Sequence, residues 1–522
     1  MASTERPPGP PDIDPVATLV SRVRGELSAA FDPGRPIRVS RAPGRLDVMG
    51  GIADYTGSLV CEMPLARVAA VALQERDDRS VQIFSFNLLD EHKPFTFQIP
   101  LAALADKTTE ELRREFGADP ARRWAGYLAG CLVALNVSHG VIGAMRRGLN
   151  IAVLSNVPSG AGVSSSAAIE VATMTAMVDQ LDLRLSPMEL AERCQWAENH
   201  VVGAPCGIMD QVTSCMGEAG KLLRMVCQPH EVLPALELPE GIAVVGINSN
   251  VKHSVGGGAY ERTRCAAFMG HRIILEKIRE MGAAAGMTMT ADPTNGYLAN
   301  VEPDDYKALF RSHVPEVMMG REFLDRYGPT ADGVTRVEAD VEYQPRHATD
   351  HHVLEPRRVR RFVEFLEAAG KLLPGVRDLP AGKGIQSQPP PYPPPAYRER
   401  EKRWPPNLSH TLPPGQRKLD LDRAGHLMYA SHQSYGMDAM LGAAECDVLV
   451  DLVRRNEAEG LYGGRITGGG SGGTVAVLAD VSERADAAID RIMDEYESRT
   501  GKKPEAFRGS SAGACYTGSV LS

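Results

Sequence analysis

The stretch from Leu149 to Val178, LNIAVLSNVPSGAGVSSSAAIEVATMTAMV, constrains the fold of this chain more than any other. Leu149, Ile151 and Val153 alternate with Asn150 and Ala152 as in a half-buried strand. Pro158, Gly160 and Gly162 end that pattern, and Ser164, Ser165 and Ser166 supply hydroxyls where a helix starts. From Ala167 to Val178 only Glu170 is charged, which predicts a helix buried on nearly every side. A tight glycine-rich loop leading into a helix offers unpaired N–H groups at the helix start, where negative charge, a phosphate above all, is favoured. An ordinary strand-to-helix turn has the same pattern, so this stretch alone leaves both readings open.

A buried helix needs a sheet to cover it, and 522 residues exceed one ordinary core, so two domains are expected. The change is placed near residue 240, giving an N-terminal domain over 16–240 and a C-terminal domain over 241–522. Residues 1–15, rich in proline, are expected to be disordered. From about 373 to 418 the proline-rich run QSQPPPYPPPAYREREKRWPPNLSHTLPPG cannot build a packed core and reads as a passive insertion. The net charge of -9 offers no basic excess for a nucleic-acid backbone. The N-terminus has no apolar signal region and no run approaches the ~18 apolar residues of a membrane helix, so a cytoplasmic location without a membrane partner is expected. Nine scattered cysteines without a Cys-x-x-Cys pair fit neither a disulfide framework nor a zinc site. His347, His351 and His352, in a charged segment, read as surface residues, and Arg357 to Arg361 as a solvated helix face. No feature requires more than a monomer.

Other stretches add chemistry. Two β-like runs, Ile37 to Ser40 and Leu59 to Met63, flank a loop with Arg45, Asp47, Asp54 and Tyr55. Charges held between buried runs suit a polar ligand, although a salt-bridged turn would look similar. Val68 to Gln74 and Val81 to Phe86 read as strands, and SPMELAERCQWAENHVV as a helix from Pro187 to Val202 capped by Ser186. GAPCGIMDQ leads into a short helix with Asp210 in its first turn, where the helix dipole favours a charged carboxylate. Ile242 to Asn248 is β-like, Glu261 to Met281, Arg357 to Ala369 and Leu421 to Leu452 are helical, and a second glycine-rich turn, Gly468 to Gly473, runs into a strand at Thr474 to Leu478. Neither a Walker loop, a Rossmann fingerprint nor the protein-kinase motif set is present.

Three motifs, in one order, resemble the GHMP family of small-molecule kinases, which unites galactokinase, homoserine kinase, mevalonate kinase and phosphomevalonate kinase. RAPGRLDVMGGIADYTG is similar to the galactokinase signature, NVPSGAGVSSSAAIEVA to the family's nucleotide loop and GRITGGGSGGTVAV to its third motif. GAPCGIMDQ and NSNVKHS are also similar to galactokinase segments. The resemblance runs from about Ile37 to the C-terminus and implies an α+β fold of two domains, the first like ribosomal protein S5 domain 2 and the second ferredoxin-like, with ATP and a sugar in the cleft between them. It implies Asp210 as the catalytic aspartate and Arg45 as the cation beside it. Pro158, Gly160, Gly162, Ser164, Ser165 and Ser166, with Gly468, Gly469 and Gly470, are then expected around the ATP phosphates, and Ser166 and Glu198 at Mg2+. Without the resemblance, Glu198 reads as a salt-bridge partner on a helix face. The chemistry agrees, because phosphoryl transfer depends mainly on positioning and charge neutralisation. A carboxylate paired with an arginine is a weak base, expected to orient the sugar hydroxyl and accept its proton late.

The acceptor is read from a departure. Where galactokinases carry Gly-Glu-His-Thr-Asp-Tyr, this chain has Gly50, Gly51, Ile52, Ala53, Asp54 and Tyr55. The resemblance implies that Asp54 still holds ring hydroxyls while the Glu and His contacts to a 6-hydroxyl are gone. An apolar wall at Ile52 would bury that hydroxyl without a partner, so a pentose is favoured, and L-arabinose is galactose without its hydroxymethyl group. The same block, Ser471 in ITGGGSGG and the FRGSSAGA tail resemble the arabinose-phosphorylating branch of the family. Asp54, Gly51, Ile52, Gly207 and Tyr260 are the expected sugar-side residues. The alternatives are a galactokinase with a relaxed pocket, a kinase for another sugar or sugar acid, and a non-catalytic sugar sensor.

Overall fold

The computed structural model describes residues 14–119, 121–252, 258–287, 291–370 and 415–522. The expected disorder at the N-terminus and nearly all of the proline-rich insertion lie outside the described residues, as does part of the segment after Asn248. The insertion's expected end is corrected, since a helix already begins at Gln416.

Alternating apolar runs build two sheets. The first is eight-stranded: β1 (Arg38–Met49), β2 (Leu59–Glu75), β3 (Ser80–Ser85), β4 (Thr96–Pro100), β5 (Leu149–Ser155), β6 (Lys221–Val226), β7 (Glu231–Glu237) and the C-terminal β14 (Ser519–Leu521). Its order is β14-β1-β2-β5-β3-β4, with β6 joining the early part of β2 and β7 joining β6. Among the described residues only β3 and β5 pair in parallel. The second sheet has the order β11-β12-β8-β13, from β8 (Ile242–Asn248), β11 (Leu461–Ile466), β12 (Thr474–Asp480) and β13 (Glu505–Phe507). A two-residue pair, β9 (Met318–Met319) with β10 (Glu342–Tyr343), stands apart.

The two runs expected at Leu59 to Met63 and Val68 to Gln74 are one long strand, β2, passing through Pro64. Likewise Arg45 and Asp47 belong to β1 and not to a loop. Pro43 and Gly44 lie at a register shift within the β1–β2 ladder. The loop proper is only the turn after Met49. Strand β5 is corrected from half-buried to buried on both faces: the helix Pro15–Glu26 covers Ala152 from one side, and the helices Arg123–His139 and Ser165–Gln180 cover Ile151 and Val153 from the other. The helix Ser165–Gln180 is buried from Ala167 to Val178 apart from a half-buried Ile169, as its composition predicted.

Between the sheets lies a shared apolar layer, where Leu46, Val48 and Met63 meet Val244, Ala476 and Leu478 together with residues from the helices Pro345–Gly370 and Gln416–Met437. The histidine expectation fails here. His351 and His352 are fully buried in the helix Pro345–Gly370, which continues through Pro356. Burial lowers the pKa of His352 to about 4, so it packs as a neutral ring. All nine cysteines are free. Among the described residues no helix is long and apolar enough to cross a membrane.

Candidate functional site

One wall of the site begins where β1 ends. Gly50 and Gly51 turn the chain into a short 3-10 segment, Gly51–Thr56, which delivers Ile52 and Asp54 to a cavity. Asp47 anchors this turn: its carboxylate accepts from Arg465 Nη1 at 2.7 Å and from the backbone N–H groups of Gly51 and Gly468, both at 3.1 Å. Asp54 is 4% exposed and accepts from the Tyr55 N–H at 2.6 Å. Burial, then the negative charge of Asp210, raise its pKa to about 7 against the pull of Arg264. Behind it the Tyr55 hydroxyl donates to His352 Nε2 at 2.8 Å, since Nδ1 faces the Ala348 carbonyl at 2.7 Å. Arg264, in a bidentate pair with Asp332, lies over the Tyr55 ring at 4.8 Å, and Tyr260 meets that ring edge-on.

Gly207 explains itself in this setting. A Cβ there would stand 1.6 Å from Asp54 Oδ2, so the backbone approaches the carboxylate as closely as only glycine allows. Gly51 has a comparable reason: at φ +47, its Cβ would meet the Tyr435 hydroxyl at 2.0 Å. It is not among the residues that line the cavity but lies against Asp47 and Tyr435.

The opposite wall is built by the loop after β5. Ser164 adopts a left-handed conformation at φ +57 and starts a 16-residue helix without capping it, so the first N–H groups of that helix have no side-chain acceptor. Its own hydroxyl is buried and has no hydrogen-bond partner among the described residues. Free donors and an orphaned hydroxyl at a helix start fit an anionic group. Facing them, Asp210 sits in the first turn of the helix Met209–Met216 and accepts from Arg45 Nε at 2.9 Å, with Nη2 of the same guanidinium 2.7 Å from its Oδ1. Arg45 Nη1 donates to the Gly162 carbonyl at 2.7 Å, which ties the cation to the glycine loop. Although burial opposes it, the charges of Asp210 and Asp47 hold the Arg45 pKa above its ordinary range.

Glu198 lies where the helix Pro187–Ala197 widens into a π-turn, an irregularity common at functional positions. It is 6% exposed, and burial followed by the charge of Asp210 raises its pKa to about 7, with the Ser166 hydroxyl acting in the opposite direction. Gln211 Nε2 bridges it at 2.7 Å to a second buried carboxyl, Glu170, at 3.3 Å. A buried carboxyl and a hydroxyl beside another negative group suit a hard cation that keeps other ligands of its own, as Mg2+ does. Among the described residues no group of three or more His, Cys, Asp or Glu is arranged to hold a metal unaided.

One cavity therefore gathers Arg45, Ile52, Asp54, Gly160, Gly162, Ser164, Ser165, Ser166, Glu198, Gly207, Asp210, Tyr260 and Gly469. Pro158, Gly468 and Gly470 do not line it. Gly468 stands one layer back, bonded to Asp47 and to the Tyr435 hydroxyl. Sequence reasoning missed Glu62, Tyr435, Arg465, Gln211 and the Arg264–Asp332 pair. Arg465 was visible inside GRITGGG, but its strand β11 was not, because Gly463 and Gly464 read as a turn.

Comparison with known proteins agrees with this geometry. The profile described as GHMP kinases N terminal domain matches residues 127–218, and that described as GHMP kinases C terminal matches residues 416–498. An L-arabinokinase of Arabidopsis thaliana is 34% identical over 94% of this chain and 47% of its own length, so the chain spans about half of that relative. A galactokinase of Chloroflexus aggregans is 29% identical over 90% of both proteins. The crystal structure of Lactococcus lactis galactokinase complexed with galactose shares the fold, with a TM-score of 0.65 at 18% identity over 96% of this chain and 99% of that one. Both halves of the sequence and the two-sheet architecture thus lead to one assignment, and the chain belongs to the GHMP kinase family.

Proposed function

We propose that this chain is a sugar 1-kinase that transfers the γ-phosphoryl group of ATP to the anomeric hydroxyl of L-arabinose, releasing ADP and L-arabinose 1-phosphate. The acceptor oxygen forms a bond to the γ-phosphorus as the bond to the ADP oxygen breaks, and the hydroxyl proton passes to Asp210. Arg45 holds Asp210 in place and supplies positive charge, while the start of the helix Ser165–Gln180 supplies N–H donors to the phosphates. Ser166 and Glu198 are the residues that would hold Mg2+, which when bound neutralises phosphate charge. Asp54, under Gly207, receives ring hydroxyls.

The observation that carries the pentose reading is Ile52, an apolar side chain on the cavity wall next to Asp54. A hydroxymethyl group turned toward it would leave its hydroxyl unpartnered, which costs about 1–3 kcal/mol. Similarity to an L-arabinokinase supports the same acceptor, and similarity to galactokinases over most of their length keeps D-galactose as the second reading. Measuring kcat/KM for L-arabinose, D-galactose and glucuronate separates them. L-Arabinose is expected to lead, and a clear preference for galactose rules it out. Asp210→Ala should lower sugar-dependent ATP turnover by about 10²-fold or more, the scale of a lost proton acceptor. Unchanged turnover removes Asp210 from that role, and no turnover with any acceptor in the intact chain favours a sensor.

A further inference from the structure

Glu62 lies in β2 with 0% exposure, and neither of its carboxyl oxygens has a hydrogen-bond partner among the described residues. A buried polar group left in that condition is costly. Its cross-strand partner in β1 is Asp47, so two carboxyl side chains face each other on one buried ladder, an arrangement antiparallel pairs avoid. Asp47 is satisfied by Arg465 and two backbone N–H groups. Glu62 has only the flank of Arg45: its Oε2 is 3.4 Å from Nε, whose hydrogen bond goes to Asp210 instead. The groups facing Glu62 are Arg45 and Asp47 of β1, Asp210 of the helix Met209–Met216 and Arg465 of β11. Three carboxyls therefore share two guanidiniums. Charge balances when one carboxyl carries a proton, and Glu62 is the one without donors.

We propose that Glu62 is a positioning residue: a buried, protonated carboxyl that backs the Arg45 guanidinium without drawing its charge from Asp210 and the transferring phosphoryl group. Ionised, Glu62 would compete for the same cation at the moment its charge is needed. Burial, followed by the charge of Asp47, pushes the Glu62 pKa upward, with Arg45 opposing. The test compares intact protein with Glu62→Gln and Glu62→Leu. Glutamine copies the protonated carboxyl and leucine removes both polar groups.

Because the role rests on the phosphoryl-transfer reading, two readouts are needed. In kinetics from about pH 6 to 9.5, Glu62→Gln is expected to keep kcat within about threefold at neutral pH and to lose an alkaline decline seen in the intact protein, while Glu62→Leu loses about tenfold or more in kcat with little change in sugar KM. In ligand-free thermal melting, a raised folded pKa contributes stability present at low pH and lost as pH rises through it, so the intact protein should weaken relative to Glu62→Gln with rising pH. Glu62→Gln falling as far as Glu62→Leu, or a melting difference independent of pH, overturns the proposal. The expected melting behaviour without sugar-dependent turnover in any variant overturns the kinase reading and the positioning role together, leaving only the protonated carboxyl.

Discussion

Replacing Gly51 by alanine tests whether the sugar loop is glycine for the reason its surroundings indicate. The added Cβ would stand 2.0 Å from the Tyr435 hydroxyl, 2.8 Å from Asp47 Oδ2 and 2.9 Å from Tyr435 Cζ. Tyr435 is fully buried and its hydroxyl has two partners, accepting from the Ile52 N–H at 2.9 Å and donating to the Gly468 carbonyl at 2.8 Å. Alanine at a positive φ costs about 1 kcal/mol. Pushing the hydroxyl away breaks both bonds at about 1 kcal/mol each, and crowding a closed core adds about 1–3 kcal/mol. The total, about 4–6 kcal/mol, is a large share of ordinary protein stability.

The same arithmetic makes the effect non-additive. Tyr435→Phe alone leaves the Ile52 N–H and the Gly468 carbonyl unpartnered, at about 2 kcal/mol together. In the double variant those bonds are already gone and the worst contact with them, so the combined cost should fall about 2 kcal/mol below the sum of the single variants. Urea unfolding of the four proteins, with slopes checked for equality, reads this directly. Additivity within about 0.5 kcal/mol would show that the hydroxyl does not occupy the Cβ position. A galactokinase-like Glu at 51 faces the same obstacle, so restoring Glu and His at 51 and 52 should destabilise the fold before it changes sugar choice.

Gly207→Ala should raise the sugar KM by about tenfold or more while leaving the KM for ATP nearly unchanged, because the Cβ displaces Asp54 and not the phosphate loop; equal effects on both substrates would contradict this. Asp54, with its folded pKa raised from 3.8 to about 7, contributes stability that is present below about pH 4 and lost as pH rises toward 7. Thermal melting of the ligand-free chain should therefore decline over that window relative to Asp54→Asn, and parallel melting profiles would speak against a protonated Asp54.

How much of this was legible in the sequence depended on the range of the forces involved. Local patterns carried well: the apolar run around Glu170 became the buried helix, Ser186 closes a capping box with Glu189, and the run from Ile242 to Asn248 is β8 residue for residue. Punctuation misled where tertiary pairing overrode it. Pro43 and Pro64 lie inside strands because the ladder tolerates a register shift and an irregular partner there. The histidines at 351 and 352 were misjudged because charge nearby does not mark a solvated face: Asp350 and Glu355 are buried on the same helix, paired with Arg311 and Arg358. Asp210, Arg45, Glu198 and Asp54 each come from a different element, so no local pattern joined them, and only the family resemblance placed them in one cleft. Glu62 carried no signal at all, because a single carboxylate in an apolar run acquires meaning only from Asp47 across the ladder and Arg45 beside it.

The hydrogen bonds around the cavity also explain why the third glycine motif matters although most of it does not touch the space. Asp47, of the first sheet, reaches Arg465 and the Gly468 N–H, and the Asp47 N–H donates to the Thr467 hydroxyl at 2.9 Å. Thr474 at the start of β12 donates to the Ala161 carbonyl at 2.8 Å, inside the phosphate loop. The acceptor turn and the donor loop, far apart in sequence, are therefore pinned to the same short stretch of the second sheet. Arg45 completes the circuit, joining the Gly162 carbonyl to Asp210. Separating the sheets along this seam would break these bonds at once and scatter the groups on which phosphoryl transfer depends. The third motif thus acts as a clamp: its residues tie the turn after β1 and the glycine loop after β5 to one stretch of the second sheet.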